Sequence, residues 1–198
     1  MRYVALGDSY TIGTSVDPAE RFPDQLVGAL RDAARPLELV ANLGVNGYTT
    51  SDLIRDELPA LPGLAPEFVT LLIGVNDVVQ GFPLATYEAN VAEILDVLLG
   101  ALPAERIVAI SIPDYTVTPA GADYGDPADQ HDAIVAENAA MVRLAARNGI
   151  AFVDIFDVSF DATRDRSLVA GDGLHPSGEQ YRRWVERIAP IVETLLSR

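Results

Sequence analysis

A chain of 198 residues, 49% apolar and 22% charged, suits one globular domain, residues 1–198, with a sizeable core. Its formal net charge of −15 repels phosphate backbones and anionic lipid surfaces, which argues against nucleic acid and membranes as partners. With no cysteine, no lysine and only two histidines, His131 and His175, the chain lacks the means for thiol nucleophiles, Cys-ligated zinc, Schiff-base or Walker lysines and three-histidine metal sites.

The chain opens on a strand-like run at residues 3–6, followed by Gly7-Asp8-Ser9-Tyr10. No basic segment with a long apolar stretch precedes it, and no 18-residue apolar run occurs later, so the expectation is a cytoplasmic protein without stable membrane insertion. A second apolar run at 37–43 leads into Gly44, and residues 58–66 read as a loop rich in Gly and Pro. The third run, 68–73, leads into Gly74-Val75-Asn76-Asp77. Three- and four-residue spacing of Leu84, Tyr87, Val91, Ile94, Leu95 and Leu98 predicts a helix over 83–99.

A fourth strand is predicted at 107–112, and the loop 113–127 after it is long enough to be a lid or binding wall. The next helix, 129–148, places Ile134, Val135, Asn138, Met141, Val142 and Ala145 on one face, with Asn148-Gly149 as its stop. His131 opens it among carboxylates and reads as a solvated surface residue. A fifth strand follows at 150–153, then Asp172-Gly173-Leu174-His175-Pro176. The last helix, 177–197, buries Tyr181, Trp184, Val185, Ile188 and Val192, and Pro190 is expected to kink or split it.

Strands alternating with helices predict an α/β chain: a three-layer α/β/α sandwich on a five-stranded parallel sheet. Right-handed crossovers and a reversal of strand order beside the first strand open a crevice at the carboxyl ends of the strands. Ser9, Gly44 and Asn76 all follow predicted strands, so they converge on that edge.

A serine hydroxyl is a weak nucleophile and needs a base within hydrogen-bond reach, itself oriented by a third group. His175 fits the base and Asp172 the orienting carboxylate, with Gly173 permitting the tight turn and Pro176 fixing the exit into the last helix. Asp154, Asp157, Asp161 and Asp165 are more distant alternatives to Asp172. Acyl transfer also needs donors aimed at the developing oxyanion, each worth roughly 10²–10³ in rate. The candidates are the Ser9 and Gly44 N–H groups and the Asn76 amide. Asp8 reads as a structural residue bonding loop amides, and Asp77 as a brace for Asn76 or its loop.

These ordered blocks, Gly7-Asp8-Ser9-Tyr10, Gly44, Gly74-x-Asn76-Asp77 and Asp172-x-x-His175, resemble the SGNH (GDSL-type) esterase and lipase family from residue 7 to 178. The resemblance implies a flavodoxin-like sheet, Ser9 as nucleophile and His175 as base oriented by Asp172. It also implies an oxyanion hole from Ser9, Gly44 and Asn76. Tyr10 stands where the family often has leucine, a packing position that leaves the chemistry intact.

The expected reaction is hydrolysis of small carboxylic esters, of short acyl or acetyl groups, through an acyl-enzyme and without a cofactor. Ile12, Phe82, Tyr115, Val117 and Tyr124 are the expected substrate-pocket walls. Lysophospholipid and thioester cleavage use the same machinery. Two readings from other classes compete: a flavin-binding protein using residues 9–14 as a phosphate loop, and a non-catalytic binding module on the same fold.

Overall fold

A computed structural model describes residues 1–197. Five parallel strands, β1 (Arg2–Gly7), β2 (Glu38–Asn42), β3 (Phe68–Leu72), β4 (Ile107–Ile110) and β5 (Ala151–Val153), form one sheet in the order β2-β1-β3-β4-β5. The helical elements begin with α1 (Ser9–Ile12), α2 (Phe22–Ala29), α3 (Thr50–Asp52) and α4 (Leu61–Leu64). They continue with α5 (Val75–Val79), α6 (Leu84–Ala101), α7 (Pro127–Arg147) and α8 (Gly178–Leu196). Helix α2 packs against α8 on one face and α6 against α7 on the other, which gives the three predicted layers. None of the described helices is long and apolar enough to cross a membrane.

The inner strands β1, β3 and β4 are buried on both faces, as their continuous apolar runs require. The edge strand β2 is only half-buried. Strand order reverses at β1, whose neighbours are β2 and β3, and the chain leaves β1 there through Gly7. Gly7 has φ +150°, and a Cβ on it would lie 2.0 Å from the Leu72 carbonyl oxygen. Only glycine fits where β1 and β3 end so close together.

Three sequence expectations are corrected. The segment 58–66 is not a loop but helical turns, Leu58–Ala60 and α4, continuing a π-type turn at Leu53–Glu57. Pro59 and Pro62 sit in first-turn positions, where a missing N–H costs nothing, and Leu58 and Leu61 anchor the turns in the core. Helix α8 runs unbroken through Pro190. Pro190 and Glu186, one turn earlier, both lie on the exposed face, so the carbonyl deprived of its partner meets solvent. Val135 and Val142 of α7, and Leu84 at the start of α6, are exposed. The buried stripe of α7 is Ile134, Glu137, Ala140, Met141 and Ala145.

Carboxyl groups lie inside this core. Glu57, on the π-type turn, accepts the Gly7 N–H at 3.0 Å, beyond the last β1–β2 pair. The Glu137 carboxyl approaches Gly74 so closely that a Cβ there would lie 2.8 Å from Oε2. Burial pushes both groups up to about 9. Both are thus neutral in the fold at pH 7, whereas the unfolded chain ionises them from about pH 4.5.

Two outcomes follow from these contacts. Gly7→Ala is expected to cost more than about 4 kcal/mol, read as loss of soluble protein or of a cooperative denaturant transition. The two raised carboxyls lend stability that is whole below pH 4.5 and drains away as pH climbs through 9. Tm should therefore fall less steeply between pH 5 and 9 in Glu137→Gln than in the wild type. Equal slopes in thermal melts would contradict a buried neutral Glu137.

Candidate active site

Ser9 begins α1 directly after β1, and Asp8 caps the turn by accepting the Tyr10 N–H at 2.9 Å. Asp8 is fully buried, and burial raises its carboxyl to about 8. The Ser9 hydroxyl meets His175 Nε2 at 2.9 Å, and His175 Nδ1 meets Asp172 Oδ2 at 2.6 Å. Residues 166 positions apart in sequence are thus brought together.

The loop before α8 makes this geometry. Val169 and Pro176 form an antiparallel bridge, Ala170 N–H donates to the His175 carbonyl at 2.7 Å, and Gly173 turns the chain with φ +75°. Asp172 Oδ1 accepts the backbone N–H groups of Leu174 (2.9 Å) and His175 (3.0 Å). Ser15 Oγ donates to Asp172 Oδ2 at 2.6 Å. Partial burial works against the Asp172 charge, but donation from Ser15, Leu174 and His175 holds the carboxyl well below the usual range. The His175 ring lies 5.4 Å from that of Tyr10, which fills the leucine position with an aromatic wall.

Asn76 lies in the first turn of α5, and its Nδ2 donates to the Tyr48 carbonyl at 2.9 Å, leaving one amide hydrogen free. Asp77 accepts both the N–H and the hydroxyl of Thr50, so it braces the segment that carries Tyr48.

Gly44 does not fit the role predicted for it. Its single N–H donates to Asn42 Oδ1 at 3.1 Å, and Asn42 Nδ2 in turn holds the Thr11 carbonyl at 2.7 Å. A Cβ on Gly44 would lie 2.7 Å from both the Asp8 carbonyl and the Ile12 nitrogen, so close packing on the nucleophile turn explains this glycine. Gly47, three residues on, lines the cleft with Ser9 and Asn76 at φ +83°. Its N–H has no partner among the described residues. The Asn46-Gly47 dipeptide is a turn signal that could have found it.

The cleft has a volume of about 230 Å³. Ser9, His175 and Asn76 face apolar surface from Val75, Val79 and Leu174 and the rings of Tyr115 and Tyr124. Of the five predicted walls, Tyr115 and Tyr124 are there, in an edge-to-face pair at 6.0 Å. Ile12 instead lines an adjoining shallow groove with Gly13, Thr14, Ser15 and Gly44. Phe82 and Val117 line neither. The long loop is therefore a wall, tied to α7 by Tyr115 Oη on Gln130.

His131 is not simply solvated. Its Nδ1 meets the buried Asp114 carboxylate at 2.6 Å and its ring packs beside Phe156 and Phe160, so it too fastens this loop. The alternative carboxylates go elsewhere: Asp154 to Ser111, Asp157 to Arg187, Asp161 to Arg183 and Asp165 to Ser167.

The structure resembles that of TesA over 98% of this chain and 99% of that one, with 20% identity and a TM-score of 0.74. The psychrotrophic esterase EstA from Pseudoalteromonas sp. matches over 100% and 99%, with 16% identity and a TM-score of 0.73. Axe2, an acetylxylan esterase from Geobacillus stearothermophilus, matches over 96% and 93%, with 17% identity and a TM-score of 0.75. At such identities these likenesses establish the fold. No curated protein matches the sequence. The family model of GDSL-like lipases and acylhydrolases matches residues 5–183, and with that span the chain belongs to the GDSL-like Lipase/Acylhydrolase family of esterase-type hydrolases.

Proposed function

We propose that the protein is a serine esterase that cleaves carboxylic esters of short acyl or acetyl groups through an acyl-enzyme on Ser9. The observation that carries this reading is the continuous chain of hydrogen bonds from Ser9 Oγ through His175 to Asp172. His175 Nε2 takes the Ser9 proton as Oγ attacks the ester carbonyl, then delivers it to the departing alkoxide. In the second half His175 deprotonates water, which attacks the acyl carbonyl and releases Ser9. Asp172 stays ionised throughout and stabilises the imidazolium.

The oxyanion receives hydrogen bonds from the Ser9 N–H, the free Asn76 amide hydrogen and the Gly47 N–H. Gly47 replaces Gly44 here, because the Gly44 N–H is already engaged by Asn42. The small apolar cleft, bounded by Tyr115 and Tyr124, supports a short acyl group. No arginine lies among the cleft-lining residues, so nothing there favours the phosphate of a lysophospholipid or of a nucleotide-bearing thioester.

The flavin reading finds no support at residues 9–14. The N–H groups of Tyr10 through Thr14 all donate to Asp8 or Ser9, which leaves no amide cradle for a phosphate.

Ser9→Ala and His175→Ala are each expected to lower kcat on a short-chain p-nitrophenyl ester by about 10⁵-fold or more, and Asp172→Asn by about 10⁴-fold. Asn76→Ala should cost roughly 10²–10³ in kcat with little change in KM. Labelling by a fluorophosphonate should occur in the wild type and vanish in Ser9→Ala. A wild type that neither labels nor cleaves an activated ester would overturn the enzymatic reading.

A further inference from the structure

Ser15 occupies an uncommon place. Its backbone has φ +67°, and it is one of two described non-glycine residues in the left-handed region. Such a conformation is strained for a serine and persists only where surroundings hold it. What holds it faces the site. Ser15 Oγ donates at 2.6 Å to Asp172 Oδ2, the same oxygen that accepts His175 Nδ1.

The two donors fix that oxygen from two directions, while Leu174 and His175 N–H groups hold Oδ1. The loop of Asp172 supplies the second pair of bonds by itself, since Leu174 and His175 are its neighbours in sequence. Among the described residues Ser15 is the one donor from outside the loop, 157 residues away and just past the turn carrying Ser9. Without it, the carboxylate plane is set only locally and not relative to Ser9. Gly13 precedes it at φ +74°, and the Val16 N–H closes onto the Gly13 carbonyl at 3.3 Å, so the turn itself aims the hydroxyl.

We propose that Ser15 is a positioning residue, whose hydroxyl locks the Asp172 carboxylate to the turn carrying Ser9 and so keeps His175 aligned with the nucleophile. The proposal rests on the reading of Ser9, His175 and Asp172 given above.

The decisive variant is Ser15→Gly, because glycine accepts φ +67° without strain while removing the hydroxyl. A turn residue with only a structural role would leave kcat unchanged in this variant. The expected result is a Tm equal to or above that of the wild type, with kcat on a p-nitrophenyl ester lowered roughly tenfold at unchanged KM. The loss should disappear in the Asp172→Asn background, where no carboxylate remains to be held.

A wild-type kcat in Ser15→Gly, the same loss with and without Asp172, or a change confined to KM would each overturn the proposal. Fluorophosphonate labelling of the wild type separates these outcomes from failure of the triad itself. A wild type that labels while Ser15→Gly keeps full kcat rejects the role of Ser15 alone.

Discussion

The constraint on which the site depends is the close approach of β1 to β3 at their carboxyl ends, where Gly7 lies against the Leu72 carbonyl. The two strands are neighbours because strand order reverses at β1, and the loops leaving them diverge from that point. Ser9 and Asn76 come from those two loops. Had a side chain stood at Gly7, the strands would separate and Ser9 would move away from Asn76. Gly44 extends the same logic to the third loop, which passes against the backbone of Asp8 and Ile12. Two glycines thus set the distances between these loops.

Such closeness leaves backbone groups without strand partners, and buried polar side chains take their place. Glu57 receives the Gly7 N–H beyond the last β1–β2 pair, Ala5 with Asn42, and Asn42 receives the N–H of Gly44. Asn138 serves the end of β4 in the same way, with its amide on both the N–H and carbonyl of Ile112. These are substitutes for sheet hydrogen bonds at the edge where the sheet stops. A strongly acidic chain can carry Glu57 and Glu137 inside because burial keeps both protonated. Asp172 shows the opposite balance: less burial and more donors leave it charged.

The sheet was legible because its strands are short, apolar and bounded by turn residues, and the meeting of Ser9, His175 and Asp172 because each lies in a spaced motif. Residues that act through tertiary contacts gave no such signal. Glu57 and Glu137 resemble any helical glutamate until the fold encloses them, and Ser15 is an ordinary loop serine until Asp172 arrives from the far end of the chain. The different surroundings of Gly44 and Gly47 were hidden for the same reason. Both glycines follow β2, and only the engagement of one N–H by Asn42 distinguishes them. Helical periodicity misplaced Val135 and Val142 because it takes apolar residues for buried ones, whereas α7 turns Glu137 inward. Helix α2 escaped notice because it is short and begins with Phe22-Pro23.

Catalytic alignment also depends on packing at a distance from the cleft. Ser9 belongs to the first strand and turn, while His175 arrives with the loop that starts α8, so their 2.9 Å contact is set by how α8 docks. That docking is aromatic. Trp184 meets Tyr181 edge-to-face at 4.9 Å and Phe22 of α2 at 6.3 Å, and Tyr10 spans from Trp184 to the His175 ring. Gln25 of α2 adds a hydrogen bond to the Gly178 carbonyl at 2.9 Å, at the first residue of α8. Gly178 itself is pressed against Glu20, where a Cβ would lie 2.8 Å from the carboxylate. An aromatic ring at position 10 therefore has a structural consequence that leucine would lack. It carries the α2–α8 contact directly onto the His175 ring, so the core that stabilises the fold and the geometry that aligns Ser9 with His175 share one surface.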